Sequence, residues 1–206
     1  MEITVLGATG GTGRQLVRQA LERGHVVTAI ARDPARLDVP DTPRLARVAA
    51  DVRDPEAIAR ALAGAGAIVS GLGIASGEAP GALTAGARAA VAAAPGRLVW
   101  LGAFGTGTSA PAAGAPTRIL LRTFMRGELP DRVGADAAVL AAGGTVLHAG
   151  PLSDGPLAPA RRTLTLAEVP RRPFPARVSR ATVAAAMLDE AESGAHPGMT
   201  LVPLGR

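Results

Sequence analysis

The 206-residue chain contains no cysteine, no lysine and no tyrosine. Without cysteine it can form neither a disulfide nor a thiolate-held metal site. Its three histidines, His25, His148 and His196, lie too far apart along the chain to repeat a metal-ligand spacing. Aromatic residues make up only 2%, so a core for a chain that is 48% hydrophobic must be built from Ala, Val and Leu, and it depends on close packing. All 22 basic residues are arginine, and no side chain titrates between histidine and arginine. A net charge of only +5 therefore produces a pI near 11.3. That value imitates a nucleic-acid binder, but a basic groove interleaved with aromatics is missing, and no nucleic-acid partner is expected. The longest uncharged stretches, 61–77 and 98–117, are interrupted by Gly, Ser, Thr or Pro, and neither reads as a membrane span. The chain opens on a strand rather than a basic segment followed by an apolar one, so a cytoplasmic location is expected.

What is present is concentrated in the first fourteen residues. Residues 1–6 read as a short buried strand that runs into glycines at 7, 10 and 13, and an amphipathic helix follows to Gly24. A glycine triplet in that context is the signature of a dinucleotide-binding turn. Gly7 permits the tight turn, Gly10 lets the backbone approach phosphate, and Gly13 allows close helix–strand contact. The helix N-terminus then offers amides and about half a positive charge to a pyrophosphate. Gly11 lies within the turn, and Thr9 and Thr12 add hydroxyl donors. In the helix, Leu16, Val17, Ala20 and Leu21 form the apolar stripe, with Arg14, Arg18, Gln19 and Glu22 on the other side.

The end of the second strand, 26–31, discriminates between dinucleotides. An NAD site places an acid there for the ribose 2′-hydroxyl, whereas this chain has Arg32, with Arg36 four residues on. Two guanidinium groups suit a 2′-phosphate, and NADP(H) is the expected cofactor. Asp33 between them caps a short helix starting at Pro34. A third strand, 44–50, ends at Asp51 and Val52, placed to hold an adenine. Gly71, Leu72 and Gly73 follow the fourth strand, 65–70, and can pass beneath a nicotinamide ribose; Gly102, after the fifth strand, is the last expected cofactor contact.

Further along, Asp54 caps a helix, 81–95 is an Ala-rich helix and 97–101 a fifth strand. Loop then runs over 102–117, helix through 117–142, and a sixth strand over 145–148. Right-handed crossovers then predict an α/β fold, a Rossmann-like doubly wound parallel sheet in a single domain spanning 1–206. The Pro-rich segment 150–178, with a strand at 163–169, is expected to fold over the carboxyl edge as a substrate-covering lid. Phe104, Leu152, Leu157 and Phe174 would supply its apolar wall. Ser179 caps a last helix ended by Gly194, and 199–202 supplies a closing strand. Asp131 and Asp136 are expected to face solvent, Asp154 to bind a loop amide, and Thr106, Thr108 and Ser109 to lie in a loop. The chain is expected to be a monomer or homodimer.

Several segments carry a family resemblance: Gly7-Ala8-Thr9-Gly10-Gly11-Thr12-Gly13, Ala31-Arg32-Asp33-Pro34-Ala35-Arg36-Leu37, Gly150-Pro151-Leu152-Ser153-Asp154-Gly155, and the run from Arg177 to Ala184. Together they resemble the atypical short-chain dehydrogenase/reductases with NmrA-like folds, and especially the flavin reductase (biliverdin reductase B) group. The resemblance implies that Thr9, Gly10, Thr12, Gly13, Arg32, Arg36, Asp51 and Val52 hold NADP. It fails in the catalytic half. The Tyr and Lys of ordinary short-chain dehydrogenases are absent, Gly102 stands where the flavin reductases have Ser, and Pro151 where they have His. His148, at the end of strand six, is the remaining candidate proton donor, with a buried structural role as the alternative. The function implied is NADPH-dependent reduction of a planar acceptor (a flavin, quinone or conjugated carbonyl) held in an apolar pocket. The alternative is a non-catalytic NADP(H)-binding redox sensor of the NmrA type. A nucleotide-sugar epimerase or dehydratase suffers from the same missing Tyr and Lys.

Overall fold

The computed structural model describes residues 1–74 and 79–205. In chain order the elements are β1 (Glu2–Leu6), α1 (Gly11–Glu22), β2 (Val26–Ala31), β3 (Leu45–Ala49), α2 (Pro55–Leu62), β4 (Ala67–Ser70), α3 (Ala82–Ala92) and β5 (Arg97–Ala103). They continue through α4 (Ala115–Phe124), α5 (Leu129–Ala141), β6 (Thr145–Ala149), β7 (Leu152–Ser153), β8 (Arg161–Thr165), β9 (Val178–Ser179), α6 (Arg180–Ser193) and β10 (Thr200–Gly205). Eight strands form one sheet in the order β3-β2-β1-β4-β5-β6-β10-β8, parallel except for the β10–β8 pair. The β7 and β9 strands pair separately and in parallel. This is the doubly wound arrangement that the alternating pattern predicts. The strand order reverses between β1 and β4, where such sheets bind ligands.

Two apolar layers hold the sheet. On one face α1 and α6 pack through Leu16, Val17, Ala20, Val183, Met187 and Leu188. On the other, α2, α3 and α5 pack through Ile58, Leu62, Leu83, Ala87, Ala135 and Val139 around the single tryptophan, Trp100, which is fully buried. Small side chains let these elements approach closely, as the aromatic-poor composition requires. Asp54 and Asp33 cap the helical turns that follow them, and Ser179 Oγ accepts from the Thr182 amide at 3.1 Å to start α6. Gly194, in the left-handed region at φ +59°, stops α6.

Four local expectations are corrected. The strand expected at 163–169 runs over 161–165. It stops because Glu168 Oε2 accepts from both the amide and the hydroxyl of Thr165, which turns the chain. Gln19 is buried, because its Nε2 donates to the Ala181 carbonyl and ties α1 to α6. Asp131 and Asp136 are 6% and 4% exposed, not solvated, because each accepts hydrogen bonds from a neighbouring element. Among the described residues no helix is long and apolar enough to cross a membrane, and residues 75–77 of the uncharged stretch 61–77 lie outside those described.

Candidate functional site

Immediately after β1 the chain turns sharply. Gly7 adopts φ +71°, a conformation that glycine takes without steric penalty, and its carbonyl accepts from the Gly10 amide at 3.0 Å. Gly13 stacks directly on this turn, and a Cβ at that position would run into the Gly7 carbonyl. The start of α1 is thereby pressed onto the end of β1. Gly10 occupies the N-cap and offers no side-chain cap, and no acid lies in the first turn. The first intrahelical bond runs from the Arg14 amide to the Gly10 carbonyl. The amides of the first helical turn therefore have no acceptor among the described residues, the arrangement that binds phosphate.

Above this turn a groove of about 790 Å³ runs along the carboxyl ends of the parallel strands. Gly7, Thr9, Gly10, Gly11 and Thr12 line its middle, and Gly71, Leu72 and Gly73 follow β4 beside them. At one end stand Arg32, Arg36, Asp51 and Val52; Asp51 Oδ1 accepts from the Arg53 amide at 2.9 Å. Gly102, Ala103 and Phe104 lead to the other end, where Leu120, Leu121, Met125, Leu152 and Phe174 make an apolar wall. Of the fourteen cofactor residues expected from the sequence, thirteen line this one groove. Gly13 alone lies beneath it, in the packing position its spacing implies.

A family model described as NAD(P)H-binding matches residues 7–193. The chain belongs to this NAD(P)H-binding family. Solved structures of similar fold include ChuY, an anaerobillin reductase from Escherichia coli O157:H7, at 19% identity over 100% of this chain and 97% of that one, with a TM-score of 0.77. Another is a wide-type short-chain dehydrogenase/reductase from Veillonella parvula DSM 2008 in complex with NADP, at 15% identity over 100% and 94%, with a TM-score of 0.79. A third is a candidate NADH-flavin reductase from Streptococcus pneumoniae TIGR4, at 19% identity over 100% of both chains, with a TM-score of 0.75. At these identities the likeness is one of fold.

In this NAD(P)H-binding chain the expected proton donor is withdrawn from the groove. His148 is fully buried and is not among the groove's lining residues. Its Nδ1 lies 2.6 Å from Ser109 Oγ and its Nε2 3.0 Å from Asp136 Oδ2, so both ring nitrogens are engaged inside the fold. Ser109 is itself fixed, accepting from the Gly105 amide at 2.8 Å. The imidazole packs against its sheet neighbour Gly102, where a Cβ would collide with the ring. Glycine at position 102 thus follows from His148: a serine there and this histidine orientation exclude each other. Pro151 lines the groove and carries no titratable group.

Other groove residues are not evident from the sequence. Arg180, the first residue of α6, lies across Gly11 at the start of α1, and its Nη1 pairs with Asp154 Oδ1 at 2.7 Å. Asp154 therefore binds a guanidinium and not the loop amide expected. Thr117, Leu120, Leu121 and Met125 come from α4 and the residue after it, within a segment whose helices carried no ligand signal. Arg132, from α5, also lines the groove; Glu128 holds its Nη2 at 3.1 Å, while its Nε is buried with no partner among the described residues. Leu157, expected in the lid wall, is instead 44% exposed and outside the lining, next to Ala158, whose amide binds Thr182 at the start of α6.

Asp131 secures one flank of the groove. The amides of Gly81 and Leu83 donate to its Oδ2 at 2.8 and 3.2 Å, and that of Thr84 donates to Oδ1 at 2.8 Å. It caps α3 from a different helix. Burial alone would raise its carboxyl, but the hydrogen bonds from Thr84, Gly81 and Leu83 outweigh burial and hold it below the ordinary value.

Proposed function

We propose that this protein is an NADPH-dependent reductase of a planar, conjugated acceptor. The observation that carries the reading is the continuity of the groove. It joins uncapped helix amides, a pair of arginines at one end and an apolar chamber at the other. The α1 amides and Arg180 would hold the pyrophosphate, Arg32 and Arg36 the 2′-phosphate, and Asp51 with Val52 the adenine. Gly71, Leu72 and Gly73 would run beneath the nicotinamide ribose, with Gly102 beside the ring. When bound, the reduced nicotinamide supplies a hydride. Phe104, Leu120, Leu121, Leu152 and Phe174 would stack an acceptor's apolar faces and exclude water, and Arg132 would polarise an acceptor oxygen. His148 takes no part in this scheme, since its nitrogens are occupied, and the proton would come from solvent.

The same sealed histidine favours a second reading, a non-catalytic NADP(H) sensor, because the described apolar end offers no side-chain acid. The two separate in one assay: NADPH oxidation is followed across flavins, quinones and conjugated carbonyls, alongside direct binding of NADP+ and NADPH. Turnover of at least one such acceptor supports the reductase. Tight binding without turnover of any of them overturns it and leaves the sensor.

A further inference from the structure

A second cavity, of about 340 Å³, lies between the β10–β8 edge of the sheet and the segment from Val169 to Ala176. Phe104, Gly150 and Pro175 line both this cavity and the groove, so the two spaces share a wall. Apart from two arginines the rest of the lining is apolar or glycine, chiefly Val169, Pro170, Val202 and Leu204. The space opens to solvent between the exposed Ala160, Pro170 and Arg172 and ends against the buried Phe104 and Val202. Its volume is inside the size range of small-molecule sites. It persists because Ala112 and Ala160 stand on its walls where longer side chains would fill it.

Two charges lie on the lining, Arg162 from β8 and Arg172, and no acid accompanies them there. Arg172 makes no side-chain hydrogen bond or ion pair among the described residues. Arg162 makes no side-chain hydrogen bond or ion pair among the described residues either; the nearby Glu168 carboxylate is engaged by the amide and hydroxyl of Thr165 at 2.8 Å each. Apolar walls with guanidinium groups at the margin match one ligand chemistry, a hydrocarbon or aromatic body ending in a carboxylate.

We infer that this cavity is a second ligand site, separate from the dinucleotide groove, for an apolar monocarboxylate. The site stands whether or not the groove takes NADPH, because none of Ala160, Arg162 and Arg172 lines the groove. Decanoate is the probe, titrated calorimetrically into the full-length protein, with decanol as the uncharged comparison. The expected result is saturable binding of one decanoate per chain, with decanol about tenfold weaker or more, since a charge-assisted pair contributes on that scale. Arg162→Gln with Arg172→Gln should weaken decanoate by about tenfold or more and leave decanol unchanged. Ala160→Trp, at an exposed position, should abolish both by filling the space. Both variants should bind NADPH as the parent does, which also shows that they are folded. Absence of saturable decanoate binding would overturn the inference, as would binding that the arginine pair and the tryptophan leave unaltered.

Discussion

Replacing Arg32 and Arg36 together by glutamine tests the cofactor assignment where the sequence reading is most specific. Both side chains stand at the end of the groove beyond β2, and both are exposed, so their charges are screened. A hydrogen bond to a charged group contributes about 1.5–3 kcal/mol in partly buried settings, and exposure argues for the lower figure, about 1.5 for each arginine. Two such contacts give about 3 kcal/mol, which corresponds to an affinity ratio of about a hundredfold. The glutamine pair should therefore raise the Kd for NADPH by about a hundredfold and that for NADH by less than about threefold, because NADH lacks the phosphate they would contact. Each single variant should cover roughly half that free energy. Fluorescence titration of both reduced nucleotides against parent and variants measures this directly, and repeating it at higher salt should shrink the NADPH advantage. Parallel weakening of NADPH and NADH, or a parent with no preference between them, would refute the reasoning.

Arg180 provides the complementary measurement: Arg180→Gln should weaken NADPH and NADH alike, by about tenfold, because the pyrophosphate beside Gly11 is common to both. Asp131→Ala leaves three amides at the start of α3, those of Gly81, Leu83 and Thr84, without their acceptor and should lower unfolding free energy in urea by about 2–4 kcal/mol, with Asp131→Asn losing less. The acid side of that effect has a definite sign. The folded carboxyl lies below its ordinary value, so its stabilisation is complete above the unfolded pKa of about 3.9 and is lost as pH falls through the lower folded value. The stability gap between parent and Asp131→Asn should therefore narrow on acidification below about pH 4; a gap that widens there would contradict the assignment. His148→Gln should reduce stability by about 1–3 kcal/mol through its severed buried hydrogen bonds. Turnover per folded molecule should remain within about twofold, and a larger fall would place His148 in the chemistry.

Which parts of this molecule were legible in its sequence depends on how local their causes are. The turn after β1 needs only its own glycines, so the tight turn at Gly7 and the close packing of Gly13 are legible from their spacing. Arg32 and Arg36 lie at the end of β2 for the same reason. Helical periodicity places Asp131 and Asp136 on a polar face without saying what that face meets, so it predicts exposure where the fold buries both. The amides that bury Asp131 belong to residues nearly fifty positions earlier. Yet a sign was present: α3 is entered through Gly81 and begins Ala82-Leu83-Thr84, with no side-chain cap of its own, so its first amides required an acceptor from elsewhere in the fold. Arg180 carried a sign of the same kind. A cation in the first turn of a helix opposes the helix dipole, and local propensity would place an acid there. Such a placement persists when something outside the helix outweighs it, here the Asp154 carboxylate and, on our reading, an anion held at Gly11. The most informative positions were thus those that broke a local rule, because the compensation had to be sought across the groove.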